Sequence, residues 1–454
     1  ERHDVPVFSF NTYMNVGSAQ EVTGITGIAH ILEHMAFKGT AEIGTTDAKK
    51  EALAMRAEDE AFAALKAERQ KGDRADPAKL AELEQAFTDA KDAARAYVVS
   101  NEFGQIVENN GGRGMNAGTA TDDTNYMYSL PSNRLELWAY LEGTRMSRPV
   151  LREFYTEKDG PVTEERRMRT ENSPIGMLIE QFQNLAFMAH PYHHSTIGWM
   201  TDLNTITRQD CETFYRTHYV GRNMTVALVG DVDFEEVERL AGKYFSGVSA
   251  AEPPVVETFD APQKGERRMV IEDESQPFYV CGYHIGNWAH PDAAVYDAIA
   301  DILGQGRTSR LYERLVKQDK SAVQAFSFAG YPGDKYPTLL AVLGMPAKDV
   351  TAEQLEAAVL EEIQRLVDGG VTEEELAGVK RRARANFVRS LEGNMGLAAQ
   401  LAEFQGKQGD WRRMFSQLEA IDAVTVQDVQ RVAAEVFVPN NRTVAFIKTV
   451  EAAN

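Results

Sequence analysis

Laid over itself at an offset of 218, the chain repeats: Thr207 falls on Thr425, Asp210 on Asp428, Tyr219 on Phe437, Asn223 on Asn441, and Thr225-Val226-Ala227 on Thr443-Val444-Ala445. In each copy a threonine suited to capping a helix precedes a helical segment, which ends in a polar turn and an alternating strand. Two copies of one α+β unit are the economical reading. A length of 454 residues agrees, because one hydrophobic core rarely fills so long a chain.

Between the copies the chain turns acidic and small-residue-rich and carries Pro253, Pro254 and Pro262, the composition of a stiff, exposed linker. The expected division is therefore a first domain at 1–249, a linker at 250–267 and a second domain at 268–454. Each half mixes strand-like runs, such as Met224 to Val229 and Phe278 to His284, with amphipathic helices such as Ala352 to Asp368. That order predicts two similar α/β-sandwich-like domains of the α+β class, with antiparallel-rich sheets covered by helices. Thr46 to about Val99 differs from its surroundings. It is rich in Ala, Glu, Lys and Arg, with apolar Leu53, Phe62, Leu65, Leu80, Leu83 and Phe87, and it is broken at Lys71 to Pro77. This spacing predicts an inserted helical hairpin projecting from the first domain, either a solvated arm or a partner-docking one.

The chemistry-bearing segment is Gly27 to Phe37, apolar with helical spacing, in which His30 and His34 lie one turn apart on one face. Two imidazoles so placed can bind one zinc ion. Glu33 lies on nearly the same face, where its carboxylate can polarise a water and shuttle its proton during peptide hydrolysis, the role of the catalytic residue. His190, His193 and His194 cluster around Pro191-Tyr192 without such geometry and are expected to pack or to lie at the surface rather than to ligate. A net charge of -20 argues against nucleic acid as a partner. No apolar run approaches the roughly 20 residues of a membrane span. Cys211 and Cys281 are too few for a disulfide framework. No signal-peptide pattern opens the chain, yet it runs directly into strand-like sequence, so the compartment stays open, a periplasmic or otherwise exported one included.

The run His30 to Thr40, His-Ile-Leu-Glu-His-Met-Ala-Phe-Lys-Gly-Thr, resembles the signature of the insulinase/pitrilysin family, the inverzincins. The resemblance extends over nearly the whole chain: Asn116-Ala117-Gly118-Thr119 with Thr124 and Tyr126 is similar to the family's active-site edge strand, and His190-Pro191-Tyr192 with Gly198-Trp199 to a later segment. It implies a zinc-dependent endopeptidase with one zinc per chain and a substrate held along Asn116, Ala117 and Thr119. It also implies a downstream glutamate as third ligand. The matching stretch, Glu157 to Glu164, nominates Glu164 for that role, with Glu165 its competitor and Glu157 as the carboxylate supporting the site from behind. Gly160-Pro161 interrupts that helix and leaves the direction of Glu157 open.

In complete members of the family, the subunit facing the zinc supplies an arginine and a tyrosine after a Ser-Arg-Leu-Tyr-like segment. Here Ser309-Arg310-Leu311-Tyr312 is followed by Val316 and Val323 at those positions, and neither can donate a hydrogen bond. The resemblance to processing-peptidase-type members then implies a heterodimer in which a homologous subunit supplies the pair. The alternative is a non-catalytic structural or peptide-binding subunit of the same fold.

Overall fold

Both copies of the repeated unit fold alike, and for the same local reasons. In the computed structural model, which describes residues 1–258 and 260–450, Thr207 caps the helix Arg208–His218 and Thr425 caps Val426–Val436. Position 259 of the expected linker and positions 451–454 of the expected second domain lie outside the described residues. Each threonine hydroxyl accepts the backbone N–H of the aspartate three residues on at 3.1 Å, while its own N–H donates back to that carboxylate at 2.9 and 3.1 Å. Such a reciprocal cap satisfies two otherwise orphaned donors and stabilises a helix by about 1 kcal/mol. Past each helix an asparagine side chain repeats as well, Asn223 donating to the His218 carbonyl at 2.9 Å and Asn441 to that of Val436 at 3.0 Å.

Strands β1 (Val7–Met14), β2 (Arg113–Thr119), β3 (Thr124–Pro131) and β4 (Met224–Gly230) form an antiparallel sheet in the order β2-β3-β1-β4. The second sheet contains β5 (Arg267–Asp273), β6 (Phe278–Ile285), β7 (Ala322–Tyr331), β8 (Thr338–Pro346) and β9 (Arg442–Thr449), ordered β5-β9-β6-β8-β7. Read from its other edge, β7-β8-β6-β9 repeats the antiparallel arrangement of the first sheet, with β5 added parallel to β9. This is the duplicated α+β architecture that the sequence predicts.

The domain boundaries are not those expected. One unit comprises residues 1–166, 196–255 and 393–409; the other comprises 167–195, 256–392 and 410–454. Within the first unit, β1 is buried on both faces because the helix Asn394–Gln408 covers the side opposite the main core. There Gly406 lets the helix approach so closely that a Cβ would lie 2.4 Å from the Tyr13 ring. In the second unit, the helix Pro174–Ala186 packs on β9, β5 and β6, with Phe182 over Gly282. Helical periodicity reveals that a helix buries one face but not which sheet it meets, so two contiguous halves could not be told from interleaved ones.

After α1 (Ile28–Met35) comes the predicted hairpin, α2 (Ala48–Arg69) and α3 (Pro77–Arg95). Asp47 caps α2, and Asp76 caps α3 with Pro77 in its first turn. The hairpin does not project as a free arm. Phe62 and Phe87 pack on Tyr155, and buried Glu51 and Glu58 on α2 pair with buried Arg152 and Arg208. Leu53, read among the apolar positions, remains exposed.

Candidate metal centre

The helix α1 is set by groups outside itself. Its N-cap, Gly27, sits at φ 90° and offers no side chain, so the buried Glu21 carboxylate accepts the N–H groups of Gly27 and Ala29, each at 2.8 Å. Asp202 holds the preceding loop, accepting from the Gly24 N–H at 2.9 Å and the Thr26 hydroxyl at 2.8 Å. Burial pushes the Glu21 carboxyl well up, opposed by those two backbone donors. Ile28, Ile31, Leu32 and Met35 enter the core, which leaves His30, Glu33 and His34 on the helix's other side.

The two imidazoles lie with ring centres 4.8 Å apart. A carboxylate joins them, and it belongs to Glu165, whose Oε2 is 3.5 Å from His30 Nε2 and 3.7 Å from His34 Nε2. One ligand atom from each of His30, His34 and Glu165 lies within 4.8 Å of the others, making them the one group of three with this metal-holding proximity among the described residues. Two neutral nitrogens and one carboxylate are a donor set that suits zinc. Glu164, nominated from the sequence, is exposed and outside this group. The reason is a π turn at Lys158–Val162, where Pro161 interrupts the α pattern. One α turn plus one π turn takes about eight residues, so two turns beyond Glu157 the helix presents Glu165 and not its neighbour.

Glu157 faces the site despite the interruption. Its Oε1 is 3.0 Å from His34 Nδ1, and its Oε2 is 2.7 Å from Lys38 Nζ, which also reaches Glu153 at 3.2 Å. Burial alone would raise this carboxyl, but the hydrogen bonds of His34 and Lys38 bring it down to about 2. Held anionic, it favours the proton on Nδ1 and leaves Nε2 free for a metal. Glu33 is raised, mainly by burial, with His34 and the Thr119 hydroxyl acting the other way. That hydroxyl donates to Glu33 Oε2 at 3.0 Å.

Thr119 and Ala117 stand on β2, the sheet's edge strand, facing the metal side, while Asn116 alternates to the other face opposite Met127 and Asn11. The edge leaves backbone groups available to an incoming strand. In the second unit, Val316 packs against the core from the π turn Tyr312–Gln318, and Val323 is exposed on the edge strand β7. His190, also in that unit, accepts the Tyr192 N–H at 3.1 Å and stacks near Phe187, and burial pushes it down to about 4. Glu21, Asp202, Lys38 and Glu153 were not singled out from the sequence. Lys38 lies within the signature run, whereas Asp202 is too distant in sequence for any local pattern to reveal it.

Two family models match the chain: Insulinase (Peptidase family M16) over residues 5–65 and Peptidase M16 inactive domain over 205–383. Zinc protease PqqE of Helicobacter pylori is 30% identical over 97% of this chain and 88% of that protein. The crystal structure of a protease from Helicobacter pylori superimposes with a TM-score of 0.81 at 28% identity, covering 98% of this chain and 95% of that one. The mitochondrial-processing peptidase subunit beta of Lentinula edodes is 23% identical over 93% of this chain and 81% of that protein.

Proposed function

Because the chain belongs to the insulinase family of peptidases, M16, we propose that it is a zinc-dependent endopeptidase acting on extended peptides. The observation that carries this reading is the convergence of His30, His34 and Glu165 beside a partly buried Glu33 at an open sheet edge. His30, His34 and Glu165 would hold one zinc ion, which when bound supplies the Lewis acidity that hydrolysis by water requires.

The chain's own groups do the rest. A peptide adds along β2, where main-chain pairing gives affinity with little demand on sequence. Thr119 orients the Glu33 carboxylate, which takes the proton of the attacking water and delivers it to the leaving amine. Glu157 keeps the His34 ring in one orientation. Replacing Glu33 by Gln should retain zinc and abolish cleavage; cleavage at the original rate would defeat this assignment.

We also propose a heterodimer. Val316 and Val323 offer no donors to a developing oxyanion, an interaction worth about 3 kcal/mol where present. The isolated chain should therefore cleave weakly and gain about a hundredfold on adding a homologous subunit bearing arginine and tyrosine. Full activity of a purified homodimer would rule that out. No described helix is long and apolar enough to cross a membrane.

A further inference from the structure

The strand β5 reads Arg267-Arg268, then the apolar Met269-Val270-Ile271, then Glu272-Asp273. Reversed, it exchanges its charges and keeps its apolar centre. Two copies laid antiparallel with Val270 opposite Val270 therefore set Arg267 against Asp273, Arg268 against Glu272 and Met269 against Ile271. Every cross-strand pair then joins opposite charges or two apolar groups, the combinations that stabilise a sheet.

The backbone selects the same register. β5 is the outermost strand of the second sheet and pairs in unbroken parallel register with β9. The Val450 N–H donates to the Asp273 carbonyl at 3.0 Å, which turns the backbone of Asp273 towards β9. Alternate residues of a parallel ladder do this, so Arg267, Met269 and Ile271 face β9 as well, while Arg268, Val270 and Glu272 turn their N–H and C=O groups to the open edge. These outward residues are the ones that the antiparallel match brings together, Val270 with Val270 and Arg268 with Glu272. Sliding one strand by two residues keeps the backbone bonds but puts Glu272 opposite Glu266 or Arg268 opposite Glu274, leaving Val270 against a charge in either case. The edge carries no proline and no bulge to discourage pairing. It is also held in shape: Arg268 binds Glu356 on the helix Ala352–Gly369 at 2.6 and 2.8 Å, and Arg267 donates to the Leu185 carbonyl at 3.0 Å. Val270 is 43% exposed, and Glu272, bound by Lys448 at 2.9 Å, is exposed beside it. An edge so ordered loses little conformational freedom on pairing.

We propose that the chain forms a homodimer in which β5 of one copy pairs antiparallel with β5 of a second about a two-fold axis at Val270, joining two five-stranded sheets into one. All the residues of this contact belong to the second unit, and it is independent of the peptidase reading and of the heterodimer. A strand-to-strand contact is smaller than a standard protein interface, so the dimer should form at micromolar concentrations.

Sedimentation velocity of the full chain between about 1 and about 100 µM measures the association. Val270→Pro removes an N–H that faces the open edge and no bond to β9, and should leave the chain monomeric throughout. Glu272→Lys, at an exposed position, sets like charges opposite both copies of Arg268 and should weaken the dimer about tenfold. Val270→Cys places two thiols across the axis, where opposed Cα atoms lie about 5.5 Å apart, within the span of a disulfide. Under mild oxidation it should cross-link at least about tenfold faster than Val323→Cys, which is exposed on the other edge strand, β7; Cys211 and Cys281 are buried and stay out of the reaction. Should the proline variant unfold, Glu272→Lys and the two cysteine variants still decide the question. A parent chain that stays monomeric over the whole range, a dimer that Glu272→Lys leaves intact, or cross-linking no faster at 270 than at 323 would overturn the proposal.

Discussion

Replacing Glu165 by Gln should strip the metal from the chain, whereas Glu164→Gln should leave it bound. The distinction follows from the π turn at Lys158–Val162, which brings Glu165 to within 3.5 Å of His30 and 3.7 Å of His34 while its neighbour stays on the exposed side. Four-ligand structural sites bind zinc with roughly 10–16 kcal/mol, so one ligand is worth about 3 kcal/mol, or about a hundredfold in affinity. An exposed glutamate away from the site changes free energies by about 0.5 kcal/mol or less, close to twofold. Zinc content after dialysis, with affinity measured by chelator competition, separates these values easily. Zinc loss in Glu164→Gln together with retention in Glu165→Gln would refute the argument, and with it the π register. A companion variant lacking Pro161 should keep zinc. Removing one residue from the π turn leaves a continuous α helix, in which the original Glu165 falls seven residues after Glu157, still two turns away.

Other perturbations have equally definite outcomes. Glu157→Gln should weaken zinc binding by about 10–100-fold in the same competition assay, because the His34 ring loses its anionic partner. Glu58→Ala leaves the guanidinium of Arg208, itself 1% exposed, facing only Asp59 among carboxylates; urea unfolding should give a loss of about 3 kcal/mol. Gly406→Ala drives a methyl to 2.4 Å from the Tyr13 ring and should cost about 1–3 kcal/mol by the same measurement. His190 has its pKa lowered to about 4 from 6.5, so the stability it contributes is complete above pH 6.5 and lost as pH falls towards about 4. The urea midpoint should decline over that interval less steeply in His190→Gln than in the parent.

How far the sequence could be read depends on the range of each interaction. His30, Glu33 and His34 lie within about one helical turn, and spacing alone puts them on one side of α1. The duplicated unit was equally legible, because a threonine cap and an asparagine turn are contacts made within a few residues. Glu165 was not distinguishable from Glu164, since the choice depends on whether Gly160-Pro161 is absorbed as a kink or as a widened turn, which no local residue pattern marks. The hairpin's two helices were readable from composition and breakers. Its attachment was not, because Glu51, Glu58, Arg152 and Arg208 read as ordinary surface charges until the fold brings them together. The same holds for Glu21 and Asp202, whose effect on α1 depends on backbone N–H groups that no side-chain pattern marks.

The exchange of helices between the two sequence halves has a consequence for biosynthesis. As the chain leaves the ribosome, β1 emerges well before the helix Asn394–Gln408 that seals its second face. Tyr13 and its neighbours on β1 must wait, uncovered, until that helix has been made, which makes the nascent first unit a natural client for holding chaperones. A chain cut between Val255 and Val256, where the chain passes from one unit to the other, would deprive the early strands of that cover. Two separately produced halves should therefore recover a native structure only when mixed.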